Sequence, residues 1–295
     1  KTIGGISSAR EGKLLREIGK TGEALDRERT KGERKDGQRI KALENKLAAL
    51  QKEHRRWYRS NEIDRLYAEA GAVNINASTS QDMITYHVSL PANKAELWAR
   101  IEADRLANYV LREFYQEREV VQEERRQRID ADPDGLLFER FASAAFMVHP
   151  YRRPVIGWPD DIAGLGMKDV ESFHRLAKAP RNMVIAIVGD VRINEMRRLL
   201  DKYFGVLPGL TAVFPPVATE PSPRGERRIT VRFDAGARMI MGFLKSPPPN
   251  RVDYVFDVIE ALLSRDRSSR FYRQLVEAQG LAESVQAVNG LPGNR

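Results

Sequence analysis

The sequence predicts an α+β protein, built as a two-layer antiparallel sheet/helix sandwich, with an antiparallel helical hairpin at its start and a second, similar domain beginning near its end. Three observations lead there. Helical and period-two segments follow one another without the regular alternation of β and α that a doubly wound sheet requires. The first fifth of the chain carries a long apolar seam at helical spacing, in an otherwise polar stretch. Five prolines, Pro208, Pro215, Pro216, Pro221 and Pro223, fall close together, and the order of elements restarts beyond them.

The elements can be justified in order. Ala9 to about Arg29 and Gln38 to about Tyr58 read as two helices around a polar break, Thr30 through Gly37. Ile40, Leu43, Leu47, Leu50, His54 and Trp57 recur at alternating three and four spacings, a coiled-coil seam, with Leu14, Ile18 and Leu25 opposite. His54 on that seam is a packed histidine rather than a ligand. Asn61 caps a short helix to Glu69, which Ala70-Gly71-Ala72 ends. Val73 to Ala77 and Met83 to Leu90 alternate at period two around a polar turn and form a hairpin. Helices follow at about Lys94–Val110, Glu113–Ile129 and Leu136–Phe146, then a loop from His149 to Pro154, a helix near Lys168–Ala177, a buried strand Asn182–Gly189 and a helix Ile193–Phe204. Past the proline-rich stretch come strands at Arg227–Phe233 and Arg238–Leu244, helices at Asp253–Leu263 and Ser268–Ala278, and a strand Leu281–Val288. The domains are therefore 1–206, with the hairpin at 9–59, a linker at 207–225, and the first part of a second domain at 226–295.

Composition bounds the chemistry. At 295 residues and 42% hydrophobic the chain can build its core without staples, and no apolar run approaches a membrane span. With no cysteine, a metal site has only His, Asp and Glu to draw on. The net charge of +8 lies in residues 1–60, which hold 17 Lys+Arg against 9 Asp+Glu, while the remainder is balanced. A basic hairpin is either a docking arm or a solvated helical pair of mixed charge, and the mixed signs favour the second. The run Glu123 to Arg128 is interleaved with acids and lacks aromatics, so no nucleic-acid partner is expected. Lys1 at one end and the turn-like Leu291-Pro292-Gly293 at the other suggest a piece of something longer.

The site hypothesis comes from Glu117-Arg118-Glu119-Val120-Val121-Gln122-Glu123-Glu124. Glu117 and Glu124 are two turns apart and share a helix face, about 10.5 Å apart along the axis. Phe114, Val120 and Val121 lie close enough to that face to bury both carboxylates in part. A buried carboxylate calls for a metal or an orienting histidine. Spacing alone leaves the alternative open, a solvated and salt-bridged face.

Five segments in order, Asn61-Glu62-Ile63-Asp64-Arg65, Asn76-Ala77-Ser78-Thr79-Ser80 with Tyr86, Glu102-Ala103-Asp104-Arg105, Glu117 to Glu124, and His149-Pro150-Tyr151 with Gly157-Trp158, resemble the pitrilysin/insulinase family of zinc metallopeptidases over about residues 60–205. Phe271 to Val276 and Gly280-Leu281-Ala282 are similar to the start of that family's second domain, and the hairpin resembles an insertion that some bacterial members carry. The resemblance implies the pitrilysin-like form of the sandwich and a Zn2+ ion held by an H-x-x-E-H motif and a downstream Glu. It further implies that the motif Glu removes a proton from the zinc-bound water. Glu124 matches the downstream ligand and Glu117 an acid that supports the site. Asn76 and Ala77 match an edge strand that pairs with an extended peptide substrate.

No H-x-x-E-H or H-E-x-x-H occurs here, and His54, His87, His149 and His174 are scattered. No catalytic residue is therefore expected within the chain, and the base Glu is expected upstream of Lys1, an expectation that Lys1-Thr2-Ile3-Gly4 favours by its likeness to the stretch following the motif. This chain alone is expected to be inactive. The partners implied are a peptide substrate and a second homologous half, on the same chain or on another subunit. The bacterial relatives imply export to the periplasm, with the cytoplasm as the alternative. The competing readings are a non-catalytic family subunit that binds or regulates an active partner, and a basic coiled-coil interaction protein.

Overall fold

The computed structural model describes residues 8–177, 179–207, 214, 216–245 and 250–290. Expectations for Lys1-Thr2-Ile3-Gly4, Pro208, Pro215 and Leu291-Pro292-Gly293 fall outside the described residues. The described chain divides into two compact units, one from 8–77, 86–127 and 156–216, the other from 78–85, 128–155 and 217–290.

In the first unit, α1 (Ser8–Arg29) and α2 (Gly37–Arg55) are the expected hairpin. The ion pairs Arg29–Glu44 and Lys46–Glu17 and the hydrogen bond between His54 and Glu11 match rising numbers on one helix with falling numbers on the other, so the helices run antiparallel. The α2 N-terminus is capped by Asp36, whose Oδ1 accepts from the amides of Gln38 and Arg39 at 3.0 and 3.1 Å. Leu14, Ile18, Leu25 and Leu47 are buried along the predicted seam, with Ile40, Leu43, Leu50 and Trp57 packed around them. The same cluster takes in Phe114, Tyr115 and Met167, so the hairpin is joined to the body through its apolar stripe.

α3 (Glu62–Glu69) follows, then β1 (Val73–Thr79) and β2 (Ile84–Ser89), which form a two-stranded sheet. Asn61 precedes α3 but does not cap it through its side chain; it sits instead in the left-handed region at φ 55°. Gly71 takes φ 82° just after the helix, the backbone state that turns the chain out toward β1. Tyr67 is buried and donates from its hydroxyl to Glu102 at 2.5 Å, fixing α3 on α4 (Ala95–Ala107). α5 (Phe114–Arg125) is next in this unit. In chain order, α6 (Pro133–Ala145) belongs to the second unit, while α7 (Pro159–Gly164), α8 (Met167–Ala177) and α9 (Ile193–Tyr203) complete the first. α9 packs on α4, with Trp98 and Phe204 rings 5.7 Å apart and both Lys202 and the Tyr203 hydroxyl on Glu96 at 2.7 and 2.9 Å.

The second unit holds α6, capped by Asp132 Oδ2 on the Gly135 amide at 2.9 Å, the 149–152 turn, and α10 (Arg251–Ser264). Tyr151 is buried here, and its hydroxyl donates to Asp82 at 2.6 Å. A π-helical segment, Tyr272–Ala278, takes the place of the α-helix expected there, and another, Arg126–Asp130, continues α5.

Four expected strands are corrected. Residues 182–189, 227–233, 238–244 and 281–288 join no strand ladder among the described residues. Val184 and Val188 are 95% and 97% exposed, where the apolar run Met183–Val188 predicted a buried strand. A period-two or apolar run specifies which face a strand would bury, but burial itself is supplied by neighbouring strands.

Candidate functional site

α5 carries both predicted carboxylates, and its orientation is set by a different edge of the helix. Its buried residues are Tyr115, Arg118 and Arg125, three and then seven residues apart, which places them along one helix edge. The Tyr115 ring fits against α1 at Gly22, where any Cβ would overlap it, and its hydroxyl donates to the Gly19 carbonyl at 3.1 Å. Burial, with Asp26 adding to it, pushes that phenol up to about 12, so it remains a proton donor. The Arg118 guanidinium forms two parallel 2.8 Å bonds to Asp26 of α1 and a third, also 2.8 Å, to the Leu165 carbonyl. Asp26 in turn holds that guanidinium above its ordinary pKa. Arg125 donates to the Gly157 carbonyl at 2.9 Å and lies over the Trp158 ring.

Glu117, Val120, Val121 and Glu124 occupy an adjoining face, about a third of a turn away. Here the structure separates the two carboxylates. Glu124 is half-buried, as expected, but Glu117 is exposed and Val120 is 52% exposed. The apolar neighbours do not cover Glu117, because the body packs on the Tyr115–Arg118–Arg125 edge instead. Between these faces Glu123 is held down to about 2 by Arg126 and Gln127, whose side chains bond its carboxylate, so this part of the helix is salt-bridged.

β1 is exposed along its whole length, and with a two-stranded sheet one of its edges has no ladder partner among the described residues. Asn76 and Ala77 lie on it. The Ala77 amide donates to Asn76 Oδ1 at 2.8 Å, and Asn74 stands at φ 54°, so the strand is locally irregular where a peptide would pair.

The histidines are engaged separately. His54 is 1% exposed, with Nε2 3.1 Å from Glu11 Oε1, which also takes Arg112 at 2.7 Å. His87 is exposed on β2, His149 accepts the Tyr151 amide, and His174 stacks on Tyr109 with centroids 3.4 Å apart. Among the described residues no three His, Asp or Glu side chains converge. A zinc ion needs at least three protein donors, so these residues do not by themselves fit one. Sequence reasoning missed Arg118, Arg125 and Asp26 as the groups that aim α5; the signal on α5 was the helical spacing of the two arginines with Tyr115, hidden by their charge.

The family model described as "Insulinase (Peptidase family M16)" matches residues 44–158, and that described as "Peptidase M16 inactive domain" matches residues 165–291. The chain is 33% identical over 239 residues to the zinc protease PqqE of Helicobacter pylori, covering 78% of this chain and 53% of that protein. A probable mitochondrial-processing peptidase subunit beta of Schizosaccharomyces pombe is 26% identical over 177 residues, 58% of this chain and 38% of that one. The crystal structure of a protease from Helicobacter pylori matches with a TM-score of 0.70 at 30% identity, over 79% of this chain and 58% of that chain. The chain spans about half the length of the curated relatives that it matches over most of its own.

Proposed function

The chain belongs to the insulinase family of peptidases, M16, and from that premise we propose that the complete protein is a zinc-dependent metalloendopeptidase acting on extended peptides or unfolded proteins. In this reading Glu124 is one zinc ligand and Glu117 orients a ligand histidine. The β1 edge at Asn76 and Ala77 takes the substrate backbone. The paired histidines and the base Glu lie outside these 295 residues, as does the second homologous half that closes the peptide chamber. The division into domains at 1–206 and 226–295 around a 207–225 linker is part of the same proposal.

The observation that carries it is the clamping of α5. Tyr115, Arg118 and Arg125 hold one edge of the helix, and the adjoining face presents Glu124 half-buried and Val120 exposed. A ligand carboxylate requires that kind of support.

Metal analysis of the intact protein after dialysis tests it. Glu124→Gln should lose its zinc, while Glu117→Gln should retain a larger share. Equal stoichiometry in wild type and Glu124→Gln overturns the assignment. The 295-residue chain alone should bind zinc poorly and cleave no peptide.

A second reading, a non-catalytic subunit that binds or regulates an active partner, is favoured by one feature: the match over 165–291 is to a domain described as inactive. The likeness to a peptidase subunit beta supports work in pairs. Sequencing the complete protein for H-x-x-E-H separates the two. Among the described residues no helix is long and apolar enough to cross a membrane. Export to the periplasm is part of the first reading and is checked by cell fractionation.

A further inference from the structure

In the second unit, α10 ends at Ser264 and the chain bends through 265–269 into the next helical turn. This bend frames an open pocket of about 660 Å³. Val258, Ala261 and Leu262 of α10 give it apolar lining, and Arg265, Arg270 and Arg273 line it as well. Among the described residues none of these three guanidiniums makes an ion pair. The carboxylates that also line the pocket are already engaged: Asp266 accepts from the Ser268 amide and hydroxyl at 2.8 and 2.6 Å, and Asp257 from Asn289 Nδ2 at 2.8 Å. Ser269, in the same wall, is 6% exposed, and its hydroxyl oxygen is buried with no hydrogen-bond partner among the described residues.

The pocket carries three guanidiniums against two carboxylates, of which Asp266 already feels the charge of Arg265, so a net positive charge remains; a buried hydroxyl without a partner is also costly, and a single oxyanion relieves both. Planar guanidinium forks match the paired oxygens of phosphate, and several forks around one group favour a dianion over a carboxylate. The pocket is far larger than a bare phosphate and part of its lining is apolar, which calls for an organic body attached to the anion. We infer that this pocket binds a phosphate monoester. The phosphoryl oxygens lie on Arg265, Arg270, Arg273 and the Ser269 hydroxyl, and the apolar body lies over Val258 and Leu262. The inference does not depend on the peptidase reading.

Calorimetric titration of the intact protein at low ionic strength with phenyl phosphate, inorganic phosphate and benzoate tests it. Phenyl phosphate should bind saturably in the millimolar range or tighter, inorganic phosphate at least threefold more weakly, and benzoate at least tenfold more weakly. The double variant Arg270→Gln/Arg273→Gln should lose at least tenfold in phenyl phosphate affinity, and Ser269→Ala about threefold, with thermal unfolding unchanged. In amide NMR spectra, the wild-type shifts induced by phenyl phosphate should centre on residues 265–273, which tests the location without any variant. Absent saturation, shifts centred elsewhere, or an arginine variant that binds as well as wild type overturns the site. Equal binding of benzoate overturns the phosphate assignment, and equal binding of inorganic phosphate overturns the organic body.

Discussion

Gly22→Ala should destabilise the protein even though it places a better helix former in the middle of a long helix. In isolation the exchange favours α1 by about 1 kcal/mol. Against this, the new Cβ would overlap the Tyr115 ring at Cζ, Cε1 and the hydroxyl oxygen, and Tyr115 is only 3% exposed, so the ring has nowhere to retreat without moving α5. Overpacking of a tight contact costs about 1–3 kcal/mol. Displacing the ring also breaks the 3.1 Å bond to the Gly19 carbonyl, a further ~0.5–1.5 kcal/mol. Taken together, these effects give a net loss of about 1–3 kcal/mol, read as a fall in the urea midpoint followed by far-ultraviolet circular dichroism. The sharper test is the second background. Tyr115→Leu removes the three atoms in conflict while keeping an apolar side chain, so Gly22→Ala introduced there should stabilise by ~0.5–1 kcal/mol. A change of the same sign in both backgrounds would refute the contact.

Arg118→Met removes one partner of a buried pair and leaves Asp26, 19% exposed, without its two 2.8 Å bonds. A loss of about 3 kcal/mol is expected in urea unfolding, largely recovered when Asp26→Leu is added. Asp36→Ala removes the α2 cap and should cost about 1 kcal/mol by the same measurement. Glu220 accepts from three successive amides, Met147, Val148 and His149, at 2.6, 2.9 and 2.9 Å. Burial opposes its charge, but these donors outweigh burial and hold its carboxyl below the ordinary 4.5. A depressed native pKa means stability that is fully present above about pH 4.5 and lost as pH falls through the native value. Glu220→Gln should therefore speed hydrogen exchange at those three amides at neutral pH, and its stability difference from wild type should shrink steadily as the pH drops below 4.5. A pH-independent difference would contradict the assignment.

The seam of the hairpin was legible because Ile40, Leu43, Leu47 and Leu50 are unambiguous apolar residues at helical spacing, and their burial needs only a partner a few residues away in the hairpin. The position of α5 was not. Its buried edge consists of a tyrosine and two arginines, which hydropathy assigns to solvent, and they are buried because Asp26, Leu165 and Gly157 supply partners far away in sequence. The apolar residues of the same helix, Val120 among them, pointed to the wrong face, and so Glu117 was expected in partial burial and is exposed. For the segment 182–189 the failure has the same origin. Its run of apolar residues states a preference for burial that only a neighbouring strand can satisfy, and composition within the segment carries no information about that neighbour.

The hairpin's basic charge invites a division between an accessory arm and a separate catalytic body, and the structure argues against that division. An arm tied on by its two ends alone would close its own seam and leave Phe114 and Tyr115 to the body. Here Leu14, Ile18, Leu25 and Leu47 share one cluster with Tyr115. The Glu11 carboxylate, anchored by His54 and Arg112, ties α1 to the chain just ahead of α5, while Asp26 holds Arg118 just over four turns further along α1. Those two ties fix α5 about two axes, and the direction in which Glu124 points follows from them. The surplus of lysine and arginine lies on exposed faces of the same helices, so the charge can vary freely while the seam and the two ties cannot. What the hairpin contributes to the candidate site is support, delivered through its apolar stripe and two partly buried carboxylate contacts, rather than attraction delivered through its net charge.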